Sequence, residues 1–80
     1  MRVVAEVPHP HVKITIFAWN GKYLLKLERG PFEQTYKVSE MDIYNEAEVK
    51  DLLDEEFINN ALKRFSEMNQ DLQETLERHT

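Results

Sequence analysis

Asn20-Gly21 lies between two runs of eight residues, Val12–Trp19 and Lys22–Arg29, both dense in β-branched, aromatic and aliphatic side chains. No other feature of the chain restricts its fold as much. A type I′ turn needs positive φ at both central residues, and Asn-Gly is the dipeptide that tolerates it best. The two runs therefore read as an antiparallel hairpin closed by a two-residue loop. Gly30-Pro31 follows the second run and precedes Phe32–Val38, a third run of the same kind. Gly suits the first position of a type II′ turn and Pro the second. A three-stranded meander results, and Val3–Val7, ahead of Pro8-His9-Pro10, is a candidate fourth strand.

Two-residue loops also dictate register. Trp19 pairs with Lys22, Phe17 with Leu24, Thr15 with Lys26 and Lys13 with Glu28. Between them Ala18 pairs with Tyr23, Ile16 with Leu25, Ile14 with Leu27 and Val12 with Arg29. The second turn preserves parity, adding Phe32, Gln34, Tyr36 and Val38 to the Ile14/Ile16 face and Glu33, Thr35 and Lys37 to the other. Side chains alternate strictly along a strand, so a slip of one residue would invert both faces. The Ile14/Ile16 face is the core face. The opposite face mixes Lys13, Lys22, Lys26, Glu28 and Lys37 with Phe17, Trp19 and Leu24. Polar residues are expected on a wet face of an antiparallel sheet; the aromatics are not.

The remainder reads as helix. Asn45 with Glu48 three residues on has the form of a capping box ahead of Val49, Leu52 and Leu53. Asp54-Glu55-Glu56 places negative charge where a helix would begin, and Arg78-His79 places positive charge near its end, both in the sense the macrodipole favours. Ile58, Ala61, Leu62, Phe65, Met68, Leu72 and Leu76 recur at spacings of three and four. No Pro or Gly separates the two segments, so one kinked helix and two helices are equally compatible with the pattern. The expected fold is a single α+β domain over residues 1–80: a three- or four-stranded antiparallel meander with one or two C-terminal helices packed on one face. Ile14, Ile16, Leu25, Leu27, Tyr36 and Val38 should meet Leu53, Ile58, Leu62 and Phe65.

Composition excludes several classes of function. The chain has 80 residues and no Cys, so disulfide frameworks, thiolate zinc sites and cysteine nucleophiles are absent. A core of this size without covalent or metal staples is often completed by oligomerisation. The net charge of −5 divides into +3 over residues 1–38 and −8 over residues 39–80. That balance disfavours a nucleic-acid binder, because acidic helices weaken the field that phosphates meet. No apolar run approaches the ~20 residues a transmembrane helix needs. Glu6 and Pro8 interrupt any signal-peptide core, which points to a cytoplasmic protein.

The candidate chemistry is sparse. His9-Pro10-His11 sets two imidazoles two residues apart, a weak metal-binding alternative that lacks further ligands nearby in sequence; a rigid connector explains it as well. Asp51, Asp54, Glu55 and Glu56 read as a solvated helix face, with Glu46–Lys50 and Glu74–Arg78 as i,i+4 pairs. Ser39 and Ser66 have no adjacent base, and both glycines belong to hairpin turns, which leaves no phosphate-cradling loop. No catalytic residue and no cofactor is expected. Phe17, Trp19, Leu24 and Lys26 form a candidate protein-binding patch. Its aromatics among lysines also define a second alternative, a platform for single-stranded nucleic acid.

The stretch His9-Pro-His-Val-Lys-Ile-Thr-Ile-Phe-Ala-Trp-Asn-Gly-Lys-Tyr, continued by Lys26-Leu-Glu-Arg-Gly and Glu33-Gln-Thr-Tyr-Lys37, resembles a group of small conserved bacterial proteins of unassigned function. The Phe65–Leu72 helix is similar as well. The resemblance implies a bacterial, cytoplasmic origin and brings with it no activity, cofactor or substrate.

A last expectation concerns self-association. Eight-residue strands span ~26 Å at about 3.3 Å per residue. A helix from Glu55 to His79 spans ~37 Å at about 1.5 Å per residue. The helix should overhang its sheet, carrying Leu72 and Leu76 in line with Phe65 and Met68. An exposed apolar stripe is costly unless covered. A homodimer burying Phe65, Met68, Leu72 and Leu76 is the expected cover, and the expected function is that of a small non-catalytic protein–protein interaction module.

Overall fold

The computed structural model describes residues 1–80. Four strands form one antiparallel sheet in the order β1-β2-β3-β4. They are β1 (Arg2–Val7), β2 (Lys13–Trp19), β3 (Lys22–Arg29) and β4 (Phe32–Ser39). A single 3₁₀ turn at Glu40–Asp42 leads to α1 (Glu46–Asp51) and α2 (Glu55–Arg78). The fold is the α+β architecture expected from the sequence, with the fourth strand present.

Both turns take the geometry their residues demand. Asn20 and Gly21 have φ of 52° and 74°, and Gly30 has φ of 58°. The β2–β3 register runs from Lys13↔Glu28 to Trp19↔Lys22, as the two-residue loop requires. The β3–β4 register runs from Lys22↔Ser39 to Arg29↔Phe32. β1 adds outside β2 with an irregularity between Val3 and Ala5, which leaves Val4 without a partner. This bulge lets Val4, Ala5 and Val7 all pack against the core. A bulged edge also twists away from further pairing.

The core comprises Val12, Ile14, Ile16, Tyr23, Leu25 and Leu27 from the sheet and Val49, Leu53, Ile58, Ala61 and Phe65 from the helices. Leu62, Tyr36 and Val38 pack against it half-buried. Tyr36 sets its ring edge-to-face with Phe57 at 5.1 Å.

The helical half is two helices, divided without Pro or Gly. Asn45 caps α1, accepting from the Glu48 amide at 3.0 Å, while the Glu48 carboxylate accepts from the Tyr44 amide at 2.9 Å. One first-turn donor, the Glu48 amide, and the amide just before the cap are thus satisfied by side chains. α1 then tightens, with the Leu52 and Leu53 amides donating to the Val49 and Lys50 carbonyls. Asp54 restarts the helix by accepting from the Phe57 amide at 2.8 Å. Leu53 before the cap and Ile58 after it are both buried, the arrangement of a hydrophobic staple. The expected i,i+4 ion pairs do not form. Glu46 instead receives Arg2 at 2.6 Å, tying β1 to α1. The hydrogen bond first, and the carboxylate's charge second, raise the Arg2 pKa further. Glu74 accepts from Gln70, and Arg78 donates to Thr75.

α2 crosses the strands instead of following them. Its first turns lie beside the β1–β2 connection, where Glu55, Ile58 and Asn59 flank His9. Further along, Leu62, Phe65 and Asn69 border Phe32 at one end of β4. Arg64, Met68 and Asp71, from the same turns, border Thr35 and Tyr36 in the middle of the strand. With one flank against the start of β4 and the other against its middle, the helix passes over the strand near Gln34. Gln34 fastens the crossing by donating to the Ala61 carbonyl at 2.9 Å, and Arg64 donates to the Tyr36 hydroxyl at 3.1 Å. The overhang expected beyond the strand ends therefore lies sideways, past the β4 edge.

Candidate interaction surface

Besides Met41 and Tyr44 in the β4–α1 connection, 94% and 97% exposed, two apolar surfaces have no element of this chain upon them. The first is the open face of the sheet. Its rows run Val3–Phe17–Leu24–Lys37, Glu6–Thr15–Lys26–Thr35, Lys13–Glu28–Glu33 and Trp19–Lys22–Ser39. Trp19 is 50% exposed and Val3 56%, with Phe17 half-buried between them in register. Leu24, read from the sequence as part of a docking patch, is buried instead: the longer side chains around it close over its short one. Thr15 is buried on the same face. Lys26 is engaged within the sheet, its Nζ 3.5 Å from Glu33 and 3.9 Å from Glu28. It bridges two carboxylates that the register places directly opposite each other, a like-charge pair that would otherwise destabilise the strands. The accessible apolar part of this face is therefore Trp19, Phe17 and Val3. Val3 was invisible to sequence reasoning because the β1 register depends on the bulge.

The second surface is the far end of α2. Phe65, named from the sequence as an interface residue, is buried in the protein's own core, because the helix is still above β4 at that point. Met68 is half-buried at the rim of the core. Leu72 is 41% exposed and Leu76 50%. The stripe that starts in the core thus continues beyond it without cover.

His9 and His11 are brought together, ring centroids 5.8 Å apart. His9 Nδ1 accepts from the His11 amide at 3.1 Å, so one imidazole nitrogen is committed to a local turn. The structure brings no group of three His, Asp or Glu residues within reach of one metal ion. Asp54 caps α2, the Glu48 carboxylate accepts from the Tyr44 amide ahead of α1, and Glu55 and Glu56 fill the first turn of α2.

No protein-family model matches the chain, and neither does any curated protein or solved structure.

Proposed function

We propose that this chain is a small non-catalytic interaction module that works as a homodimer in the bacterial cytoplasm. The observation that carries the reading is the apolar stripe of α2, which runs from Phe65 in the core through half-buried Met68 to exposed Leu72 and Leu76. A stripe of this kind is stable in water chiefly when a partner covers it. No helix of the protein is long and apolar enough to cross a membrane, so a bilayer-spanning role for α2 is excluded. The exposed Trp19, with Phe17 and Val3 beside it, supports a second docking surface for another protein, since Trp is enriched where binding energy concentrates.

Magnitude shows that the stripe is only part of the interface. Full burial of a leucine is worth ~1.5–3 kcal/mol, so the exposed halves of Leu72 and Leu76 in two copies supply about 4 kcal/mol. Association costs at least that much in lost rotational and translational freedom, about 4–15 kcal/mol. A dimer therefore draws on further contacts.

Light scattering at micromolar concentration tests the reading. A dimeric mass that falls to monomeric in Leu72→Glu/Leu76→Glu is expected. A monomeric mass in the unmodified chain, unchanged in the variant, refutes it.

A further inference from the structure

We infer that the dimer forms by antiparallel pairing of β4 with β4 of a second copy, across a two-fold axis at Thr35, with the overhanging end of each α2 roofing its partner's strand. The inference deepens the self-association reading and rests on it.

The sheet is open, and its two edges differ. β1 is bulged at Val3/Ala5, whereas β4 pairs regularly with β3 along its whole length. A bulge is a device that blunts an edge; β4 has neither bulge nor internal Pro. The two-residue loops decide which backbone groups of β4 face outward. Tyr23, Leu25, Leu27 and Arg29 bond toward β4, so their partners Val38, Tyr36, Gln34 and Phe32 point inward. The N–H and C=O groups of Glu33, Thr35 and Lys37 therefore point away from the sheet. None of them has a hydrogen-bond partner outside the sheet's own ladders.

Charge selects the register. With the two-fold at Thr35, Glu33 faces Lys37 of the partner subunit on both sides of a Thr–Thr pair, and all outward groups meet outward groups. On the other face Phe32 opposes Val38 and Gln34 opposes Tyr36. Axes at Glu33 or Lys37 would set like charges together. An axis at Gln34 would bring Pro31, which has no N–H, opposite Lys37; one at Tyr36 would leave Glu33 facing Ser39. Lys37 has no ion pair within its own chain, and Glu33 already stands opposite Glu28. The second copy thus gives Lys37 a carboxylate and gives Glu33 a second cation beside Lys26.

The helix supplies the second argument. α2 borders β4 as far as Asp71, and its last turns, with exposed Leu72 and Leu76, continue beyond these contacts, where in a paired dimer they would lie over the partner's strand. An edge strand added alone would expose one face to water. Here the face turned toward the helices lies beneath a ready apolar roof. The same axis makes the two copies of α2 antiparallel. The flank of α2 bordering Thr35 and Tyr36 carries Arg64, Glu67 and Asp71, and antiparallel packing brings Arg64 of one copy toward the acidic residues of the other.

Cysteine cross-linking tests the geometry, because the chain has no Cys and any disulfide must join two copies. Thr35→Cys places the two thiols opposite each other at about 5.5 Å between Cα atoms, within disulfide range. Glu33→Cys places them four residues apart, ~13 Å at about 3.3 Å per residue, which is out of range. Each variant is oxidised with copper–phenanthroline and read on a non-reducing gel, and the unmodified chain is weighed by light scattering. Rapid covalent dimer from Thr35→Cys, at least ~10-fold faster than from Glu33→Cys, is the expected result. A dimeric mass without faster cross-linking at position 35 overturns the edge pairing and leaves self-association standing. A monomeric mass overturns both.

Discussion

Phe65 and Leu72 are seven residues apart on one stripe of α2, yet the structure assigns them opposite energetics. Phe65 is buried among the sheet residues and Leu53, Ile58 and Ala61, and truncation to Ala leaves a cavity there. Such a change costs ~3–5 kcal/mol. An 80-residue domain has ~4–12 kcal/mol in all, at about 0.05–0.15 per residue, so Phe65→Ala consumes much of the protein's stability. Leu72, 41% exposed and past the last strand, loses few contacts in the monomer on truncation. Leu72→Ala should stay within ~0.5 kcal/mol there, as surface changes usually do. The assay is urea unfolding followed by circular dichroism, at concentrations low enough to hold the monomer. Ile58→Val, expected to cost ~0.5–1.5 kcal/mol, probes the same helix–sheet contact if Phe65→Ala does not fold. Raising the protein concentration then separates the roles further: if the proposed dimer forms, it stabilises the folded state by mass action and the penalty of Leu72→Ala should grow. Equal penalties for Phe65→Ala and Leu72→Ala in the monomer would refute the placement of α2 across β4.

Two other perturbations address the edge and the helix break. Lys37→Glu sets carboxylates against Glu33 of the partner subunit twice per dimer and should weaken dimerisation by ~10-fold or more, with Glu33→Lys/Lys37→Glu restoring it; sedimentation equilibrium shows whether the double exchange rescues. Asp54→Ala removes the acceptor of the Phe57 amide and should cost ~1 kcal/mol in thermal unfolding, about 4–8 °C, whereas no shift would mean that the cap is dispensable.

Local chemistry made a large part of this protein legible in its sequence. Asn20-Gly21 and Gly30-Pro31 are decided by φ preferences, which belong to single residues, and two-residue loops convert those preferences into register. Every β2–β3 and β3–β4 partner from Lys13↔Glu28 to Arg29↔Phe32 follows from them, and so does the division of the sheet into a core face and an open face. The α2 stripe was legible for the same reason: spacings of three and four are a property of one helix. The sequence marks a helix start at Asp54-Glu55-Glu56 but leaves one kinked helix and two helices open; the structure decides for two, with Leu53 and Ile58 as a staple around the Asp54 cap.

Tertiary structure decided what depends on two distant elements at once. The β1 bulge arises because Val4, Ala5 and Val7 must all reach a core built by other segments. Leu24 is buried on an open face because its neighbours on adjacent strands are long, and Phe65 lies inside because β4 is still beneath α2 there. Above all, the crossing direction of α2 has no local determinant. A stripe says which side of a helix faces the sheet, not along which line it lies. That line is set by packing Phe57, Ala61 and Arg64 against Tyr36 and Gln34, residues 21 to 28 positions away in sequence.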